Sequence, residues 1–141
     1  MKMKITILED SILEADRLKN GIRKYGQHYD WDIEIDEYKS GEEYFYKNPD
    51  CQSIKSSAFF LDIQMKQMSG IEVARRLRES RYNGIIVFFT AFSEYVFQGY
   101  EVRALNYLLK PIKENKLFLC LDEIAKELSN NTYIYRNKQE I

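Results

Sequence analysis

Five polar side chains in this sequence are of the types that phosphoryl transfer requires. Three are carboxylates, on Glu9, Asp10 and Asp62, and they are joined by the Thr90 hydroxyl and the Lys110 ammonium. Carboxylates that lie close together repel one another, so they need protons or a cation, and Mg²⁺ suits carboxylate, water and phosphate oxygens. A carboxylate such as that of Asp62 can act as a phosphoryl nucleophile, with Lys110 and Thr90 stabilising charge on the transferring group. The set predicts phosphoryl transfer onto an aspartate.

These residues stand where short apolar stretches end. Glu9 and Asp10 follow residues 4–8, Asp62 follows 58–61, Thr90 follows 85–89 and Lys110 follows 104–109. Continuous apolar runs of this length are typical of strands buried on both faces of a parallel sheet. Because ligands bind at the carboxyl ends of such strands, we expect residues far apart in sequence to converge on one shallow site.

Helical periodicity separates the apolar stretches. Helices are predicted from Ser11 to Tyr25, after Ser40, around residues 71–77, over about 93–100 and after Pro111; a further half-exposed strand is predicted over 31–38. Ser40 and Glu43 form a capping-box pattern at the second helix. Five alternations of strand and helix predict an α/β fold, a doubly wound five-stranded parallel sheet with helices on both faces.

Composition narrows the possible functions. The chain has 141 residues, and its 21 basic and 22 acidic side chains leave a net charge of −1, which argues against nucleic-acid binding by this segment. Cys51 and Cys120 fit no metal-ligand spacing and are expected to be reduced thiols. No stretch has the apolar length of a signal peptide or a membrane span, so a soluble cytoplasmic protein is expected.

The ordered set of motifs resembles the receiver domains of bacterial two-component response regulators, from Lys4 to about Asn130. The matching motifs are Glu9-Asp10, Leu61-Asp62-Ile63-Gln64-Met65, Met68-Ser69-Gly70, Thr90-Ala91 and Lys110-Pro111. The resemblance implies a flavodoxin- or CheY-like (βα)5 fold with the strands in the order 2-1-3-4-5.

The resemblance also implies a metal site and a phosphorylation site. Asp62 would accept a phosphoryl group from the phosphohistidine of a sensor histidine kinase and later lose it to water. Asp10 and Asp62 would bind Mg²⁺ directly, Glu9 would act mostly through water, and Gln64 would offer its backbone carbonyl. Such a domain phosphorylates and dephosphorylates itself and is not an enzyme that turns over external substrates.

Further residues are implied to carry the signal. Thr90 and Lys110 would contact the phosphoryl group, and Thr90 would switch together with Tyr107; half-buried packing is the alternative role for Tyr107. The surface of the fourth helix, fifth strand and fifth helix would then favour a homodimer or release an effector. The peptide bond between Lys110 and Pro111 is expected to be cis.

The stretches 92–97 and 100–112 look like those of regulators that carry a LytTR-type DNA-binding domain after the receiver. Residues 132–138 alternate in the manner of a first strand. We therefore expect a receiver domain over residues 1–130, with 131–141 a linker or the start of a removed effector domain. A frayed native tail is the alternative. DNA would be bound only through the missing domain, and no membrane contact is expected.

Two other functions remain open at this stage. A phosphohydrolase with an aspartyl-phosphate intermediate generally needs a second acid two residues after the nucleophile, and Gln64 occupies that position. A receiver-like interaction module that works without phosphorylation usually lacks an acid, the threonine or the lysine, and all are present here.

Overall fold

A computed structural model of the protein describes residues 1–50 and 53–140. Five strands alternate with five helices in the order β1 (Lys2–Leu8), α1 (Ile12–Tyr29), β2 (Asp32–Tyr38), α2 (Gly41–Lys47), β3 (Ala58–Leu61), α3 (Gly70–Glu79), β4 (Ile85–Thr90), α4 (Val96–Glu101), β5 (Asn106–Leu109) and α5 (Glu114–Glu140). The alternation predicted from the sequence is confirmed.

The strands form one parallel sheet in the order β2-β1-β3-β4-β5. The register pairs Leu8 with Leu61, Leu61 with Phe88 and Thr90 with Leu109, so the carboxyl ends of the four strands β1, β3, β4 and β5 lie along one edge. The doubly wound fold and its strand order are as predicted. The register places the candidate site at the carboxyl ends of the strands.

Two apolar cores cover the two faces of the sheet. Alternate residues of the same strand point into different cores: Phe60 packs with α1 and α5, whereas Phe59 and Leu61 pack with residues of α2 and α3. All four residues of β3 and all six of β4 are buried, as expected of central strands in a doubly wound sheet. Strand β2 forms an edge and is only partly buried, in agreement with its alternating sequence.

Helix starts follow local capping chemistry. The Ser40 hydroxyl accepts a hydrogen bond from the Glu43 amide at 3.0 Å, and the Glu43 carboxylate accepts one from the Lys39 amide at 3.1 Å. The Ser40 half of the predicted capping box is therefore present, whereas the Glu43 carboxylate binds the amide one residue before the cap instead of that of Ser40. Ser69 caps α3 in the same way, through a 3.2 Å bond from the Glu72 amide.

Helix α4 and strand β5 both start later than the sequence pattern suggests, at Val96 and Asn106. Tyr95 precedes α4 and makes no side-chain capping bond to its residues. At the other end of α4, Arg103 adopts a left-handed conformation with φ of 57°, and the Ala104 amide bonds back to the Gly99 carbonyl at 3.0 Å. The helix-ending turn therefore uses residues that the sequence pattern assigns to the strand.

Helix α5 continues to Glu140, beyond the predicted end near Asn130. The strand-like alternation of residues 132–138 is therefore a wrong guide to their backbone. The sequence after Pro111 contains no glycine or proline that would stop a helix.

Cys120 is a buried free thiol on α5, and burial raises the pKa of that thiol. The expectation for Cys51 lies outside the described residues. Within the part of the chain that the structure describes, no helix combines the length and apolar character needed to cross a bilayer.

Candidate functional site

Backbone hydrogen bonds hold together the residues that follow the carboxyl ends of the strands. The Asp62 amide donates to the Leu8 carbonyl at 3.0 Å, and the Lys110 amide donates to the Thr90 carbonyl at 2.8 Å. These bonds extend the β1–β3 and β4–β5 ladders by one residue each. The polar side chains that follow the strands are therefore held at the end of the sheet.

Three carboxylates form a tight acidic cluster at this edge. One oxygen from each of Glu9, Asp10 and Asp62 lies within 4.8 Å of the others. Glu9 and Asp62 are almost fully enclosed, with exposures of 2% and 5%, whereas Asp10 is exposed. The cluster has one open side, toward Asp10.

The Lys110 ammonium compensates part of this negative charge. Its Nζ lies 2.7 Å from Oε1 of Glu9 and 3.4 Å from Oδ2 of Asp62. The same Nζ stands 5.1 Å from the centre of the Phe89 ring. The peptide bond between Lys110 and Pro111 is cis, as the family resemblance implied.

Burial has the largest effect on the pKa values of the site residues, and the neighbouring charged groups come next. Burial raises the pKa of Glu9 well above its ordinary range, the neighbouring Asp62 carboxylate raises it further, and Lys110 offsets only part of this shift. For Lys110, burial acts to lower the pKa, but the hydrogen bond to Glu9 and the charge of Asp62 outweigh it and raise the pKa. Burial and the nearby Asp62 thus favour a proton on Glu9, and Lys110 alone does not cancel that preference.

The second oxygen of Glu9 shows that the cluster suits a cation. Oε2 of Glu9 is buried and receives no hydrogen bond from the residues that the structure describes. A buried carboxylate oxygen without a partner is costly, and it is a suitable ligand for a hard cation or for a water bound to one. The donor set of carboxylate oxygens fits Mg²⁺ better than softer metals.

Thr90 and Tyr107 are joined through a single residue. The Thr90 hydroxyl is fully buried and accepts a hydrogen bond from the Phe92 amide at 3.4 Å. The Tyr107 hydroxyl donates a short hydrogen bond to the carbonyl of the same Phe92. The Tyr107 ring is turned inward, 6.1 Å from Phe88, and burial raises the pKa of its hydroxyl. Both candidate switch side chains are therefore hydrogen-bonded to the segment that follows β4.

The loop from Asp62 to Gly70 closes the site on one side. The Gly70 amide donates to the Ile63 carbonyl at 2.9 Å, and a Cβ on Gly70 would stand 2.1 Å from the Asp62 carbonyl oxygen. Only glycine permits so close an approach of the α3 start to the Asp62 backbone. Gln64 lies in this loop with an exposed side chain.

Sequence comparison identifies the family. The profile of the response regulator receiver domain matches residues 5–122. The chain belongs to this family. It is a receiver domain of the kind found in two-component response regulators, as the motifs predicted.

Individual relatives agree with this assignment. The sensory transduction protein LytT of Bacillus anthracis is 31% identical over 139 residues, which cover 99% of this chain and 52% of LytT. This similarity supports the predicted LytTR-type subfamily. The receiver domain spans about half the length of the LytT proteins that it matches.

Solved structures share the fold. The response regulatory domain of protein mrkE from Klebsiella pneumoniae has a TM-score of 0.79 at 26% identity, covering 91% of this chain and 99% of that domain. The response regulator TrrA from Thermotoga maritima, in complex with Mg²⁺ and BeF, has a TM-score of 0.72 at 26% identity, covering 86% of this chain and 98% of TrrA.

The receiver domain brings together most of the residues that the sequence singled out. Glu9, Asp10, Asp62 and Lys110 meet directly, and Thr90 ends the strand beside β3. Their chemical roles, and that of the Gln64 carbonyl, stay predictions.

Three sets of contacts in this receiver domain could not be predicted from the sequence. These are the Phe92 peptide between Thr90 and Tyr107, the hydrogen bond from the Met68 amide to Glu42, and the bonds of the Arg78 guanidinium. All join a side chain to a backbone group of another segment. Such partners follow no periodic pattern, so the sequence alone does not indicate them.

Proposed function

We propose that this receiver domain accepts a phosphoryl group on Asp62 from the phosphohistidine of a sensor histidine kinase, with Mg²⁺ bound beside it. The observation that carries the proposal is the buried acidic cluster, in which Glu9 keeps one oxygen without a partner and Lys110 contacts both Glu9 and Asp62. A purely structural cluster would be expected to satisfy its buried oxygens.

The metal would be held by Asp10, Asp62 and the Gln64 carbonyl, with Glu9 acting mostly through water. When bound, Mg²⁺ neutralises the acids and draws negative charge from the oxygens of the transferring group. The Mg²⁺ and BeF complex of TrrA supports the choice of ion. The open side of the cluster, at Asp10, gives water and a donor access to the site.

Asp62 would act as the nucleophile. One of its carboxylate oxygens forms a bond to phosphorus while the bond from phosphorus to the histidine nitrogen of the kinase breaks, and the imidazole leaves. Lys110 already lies 3.4 Å from the Asp62 carboxylate, so its ammonium can follow an oxygen of the incoming group with little movement. Water later attacks phosphorus and restores the Asp62 carboxylate.

The phosphoryl group would then be sensed by Thr90. A Thr90 hydroxyl that turns toward a phosphoryl oxygen changes its hydrogen bond from the Phe92 amide. The Phe92 carbonyl holds the Tyr107 hydroxyl, so the two side chains shift one segment between them. Phosphorylation would thereby bias an equilibrium at α4 and β5.

The output surface would be formed by α4, β5 and α5. Large apolar side chains stand exposed there, with exposures of 48% at Val96, 83% at Phe97, 85% at Tyr100, 49% at Leu109 and 62% at Leu119. Exposed apolar patches mark interaction sites. We propose that this surface forms a homodimer or contacts an effector.

We propose further that residues 131–141 link the receiver to a DNA-binding domain of the LytTR type, and that the protein works in the cytoplasm. The similarity to LytT supports this arrangement, because LytT extends well beyond the segment matched by this chain. DNA would be contacted only by that further domain, since the receiver itself is nearly neutral.

Intact mass spectrometry tests the central proposal. The domain is incubated with Mg²⁺ and acetyl phosphate beside an Asp62→Asn variant, with and without a chelator. We expect a mass gain of one phosphoryl group in the parent domain only, and none when the metal is chelated. No gain with several donors, in a protein that remains folded, would favour an interaction module that works without phosphorylation.

A further inference from the structure

The start of helix α2 lies against the loop that follows Asp62. Oε1 of Glu42 accepts a hydrogen bond from the Met68 amide at 3.0 Å, across 26 positions of sequence. A Cβ on the neighbouring Gly41 would stand 2.6 Å from Cγ2 of Val73 and 3.1 Å from Sδ of Met68. Helix α2 therefore approaches this loop as closely as a glycine allows.

The loop from Asp62 to Gly70 is fixed at several points. The Asp62 amide is bound to Leu8, the Gly70 amide to Ile63, and the Met68 amide to Glu42. The first two bonds lie at the ends of the loop, whereas the Glu42 bond acts inside it, two residues before Gly70, and comes from another helix. Gln64, whose carbonyl is the proposed metal ligand, stands between the first and last of these points.

Glu42 is not needed to begin its own helix. Ser40 accepts from the Glu43 amide at the start of α2, and Glu43 accepts from the Lys39 amide just before the cap, so both capping contacts use other side chains. The Glu42 carboxylate is thus available to the loop, and a charged acceptor makes a stronger hydrogen bond to an amide than a neutral one.

We propose that Glu42 is a positioning residue for the phosphorylation site. By holding the Met68 amide, it fixes the loop that presents the Gln64 carbonyl to Mg²⁺. The inference rests on the proposed function and deepens it, because it makes α2 part of the metal site without direct contact to the metal. Partners that orient a ligand usually affect metal affinity strongly.

NMR of the isotope-labelled chain tests the proposal through two readouts. The first is the exchange rate of the Met68 amide proton with solvent, and the second is the Mg²⁺ dissociation constant from a chemical-shift titration. In Glu42→Ala we expect faster exchange at Met68 and Mg²⁺ binding weakened on the order of tenfold. In Glu42→Gln the amide oxygen still accepts the bond, so both readouts should return close to those of the parent protein.

The matched control is Glu43→Ala on the same turn of α2. This change removes the capping bond from Lys39 and an ion pair with Lys47 at 3.1 Å, but leaves the Met68 contact in place. It should leave the Mg²⁺ dissociation constant and the Met68 exchange rate unchanged. Equal losses in Glu43→Ala and Glu42→Ala would instead trace the effect to α2 stability and overturn the proposal.

Two further outcomes separate the inference from the proposed function. If the parent protein binds Mg²⁺ and Glu42→Ala binds it equally well, the role of Glu42 is refuted and the phosphorylation site stands. If the parent protein neither binds Mg²⁺ nor becomes phosphorylated, the proposed function fails and the role of Glu42 fails with it.

Discussion

The two ends of the sheet differ in how fully their charged side chains are hydrogen-bonded. At the amino ends of β4 and β5, the Arg78 guanidinium donates to four backbone carbonyls, those of Val102, Tyr82, Gly84 and Arg103, at 2.7–3.2 Å. At the carboxyl ends, Glu9 and Asp62 share one ammonium, and a buried Glu9 oxygen lacks a hydrogen bond within the described chain.

The difference indicates that the Arg78 end contributes to stability, whereas the acidic end is suited to chemistry. The Arg78 end joins α3, the start of β4 and the turn after α4, because four of the five guanidinium N–H groups each bind a backbone carbonyl. If the proposed function holds, the acidic end would be satisfied only when a cation binds, and the metal-free fold would be less stable for keeping its ligand positions free. Proteins commonly keep such local conflicts at functional sites and compensate for them elsewhere.

The largest expected effect comes from removing Arg78. In Arg78→Met the carbonyls of Val102, Tyr82 and Gly84 lose their common donor, so we expect the free energy of unfolding to fall by about 2–4 kcal/mol. Urea denaturation measures the change. Arg75→Met is the control, because Arg75 is on the same helix and, among the residues that the structure describes, its ion pair is an exposed one to Glu101 at 3.6 Å. Similar losses in both variants would contradict the distinction between the two ends.

The acidic end should make the free energy of unfolding depend on pH. Because the pKa of Glu9 is raised in the folded state, the native protein holds a proton that the unfolded chain has already released. The contribution of Glu9 to the stability of the metal-free domain is therefore fully present below the ordinary glutamate pKa and is lost as pH rises through the raised value. We expect a loss on the order of 1–2 kcal/mol between acidic and mildly alkaline pH in the presence of a chelator.

Urea denaturation at several pH values, with Glu9→Gln beside the parent domain, measures this slope. The variant cannot ionise at position 9, so its stability should change less with pH. Added Mg²⁺ should restore stability to the parent at high pH, because binding stabilises only the folded form. A parent domain whose stability rises over the same pH range would show that Glu9 is ionised without cost.

Much of the site could be predicted because its residues directly follow the ends of strands. Asp62 and Lys110 interrupt apolar runs, and a parallel sheet brings such interruptions to one edge whatever their sequence separation. Glu42 and Arg78 escaped prediction because each binds backbone groups of another segment, and nothing in their sequence neighbourhood encodes that partner. Residues 132–138 misled because alternation over so short a stretch does not exclude a helix, and α5 continues through them.

The smallest expected effect compares two tyrosines that make the same bond at opposite ends. Tyr82 is buried and donates its hydroxyl to the Ser56 carbonyl at 2.9 Å, whereas the half-buried Tyr107 donates to the Phe92 carbonyl. In Tyr82→Phe the Ser56 carbonyl loses its donor away from water, so we expect a loss of about 1–2 kcal/mol in unfolding free energy. In Tyr107→Phe water can reach the carbonyl of the half-exposed Phe92, and the loss should be only about 0.5 kcal/mol.

Hydrogen exchange at the Phe92 amide distinguishes the two variants further. Loss of the Tyr107 hydroxyl frees the segment after β4, so the Phe92 amide should exchange faster although global stability barely changes. Tyr82→Phe should show the reverse pattern, with a lower unfolding free energy and little local change at Phe92. If both variants lose equal stability and neither alters exchange at Phe92, the segment after β4 is as rigid as the Arg78 end, and a switch through Thr90 and Tyr107 would have no mobile element to act on.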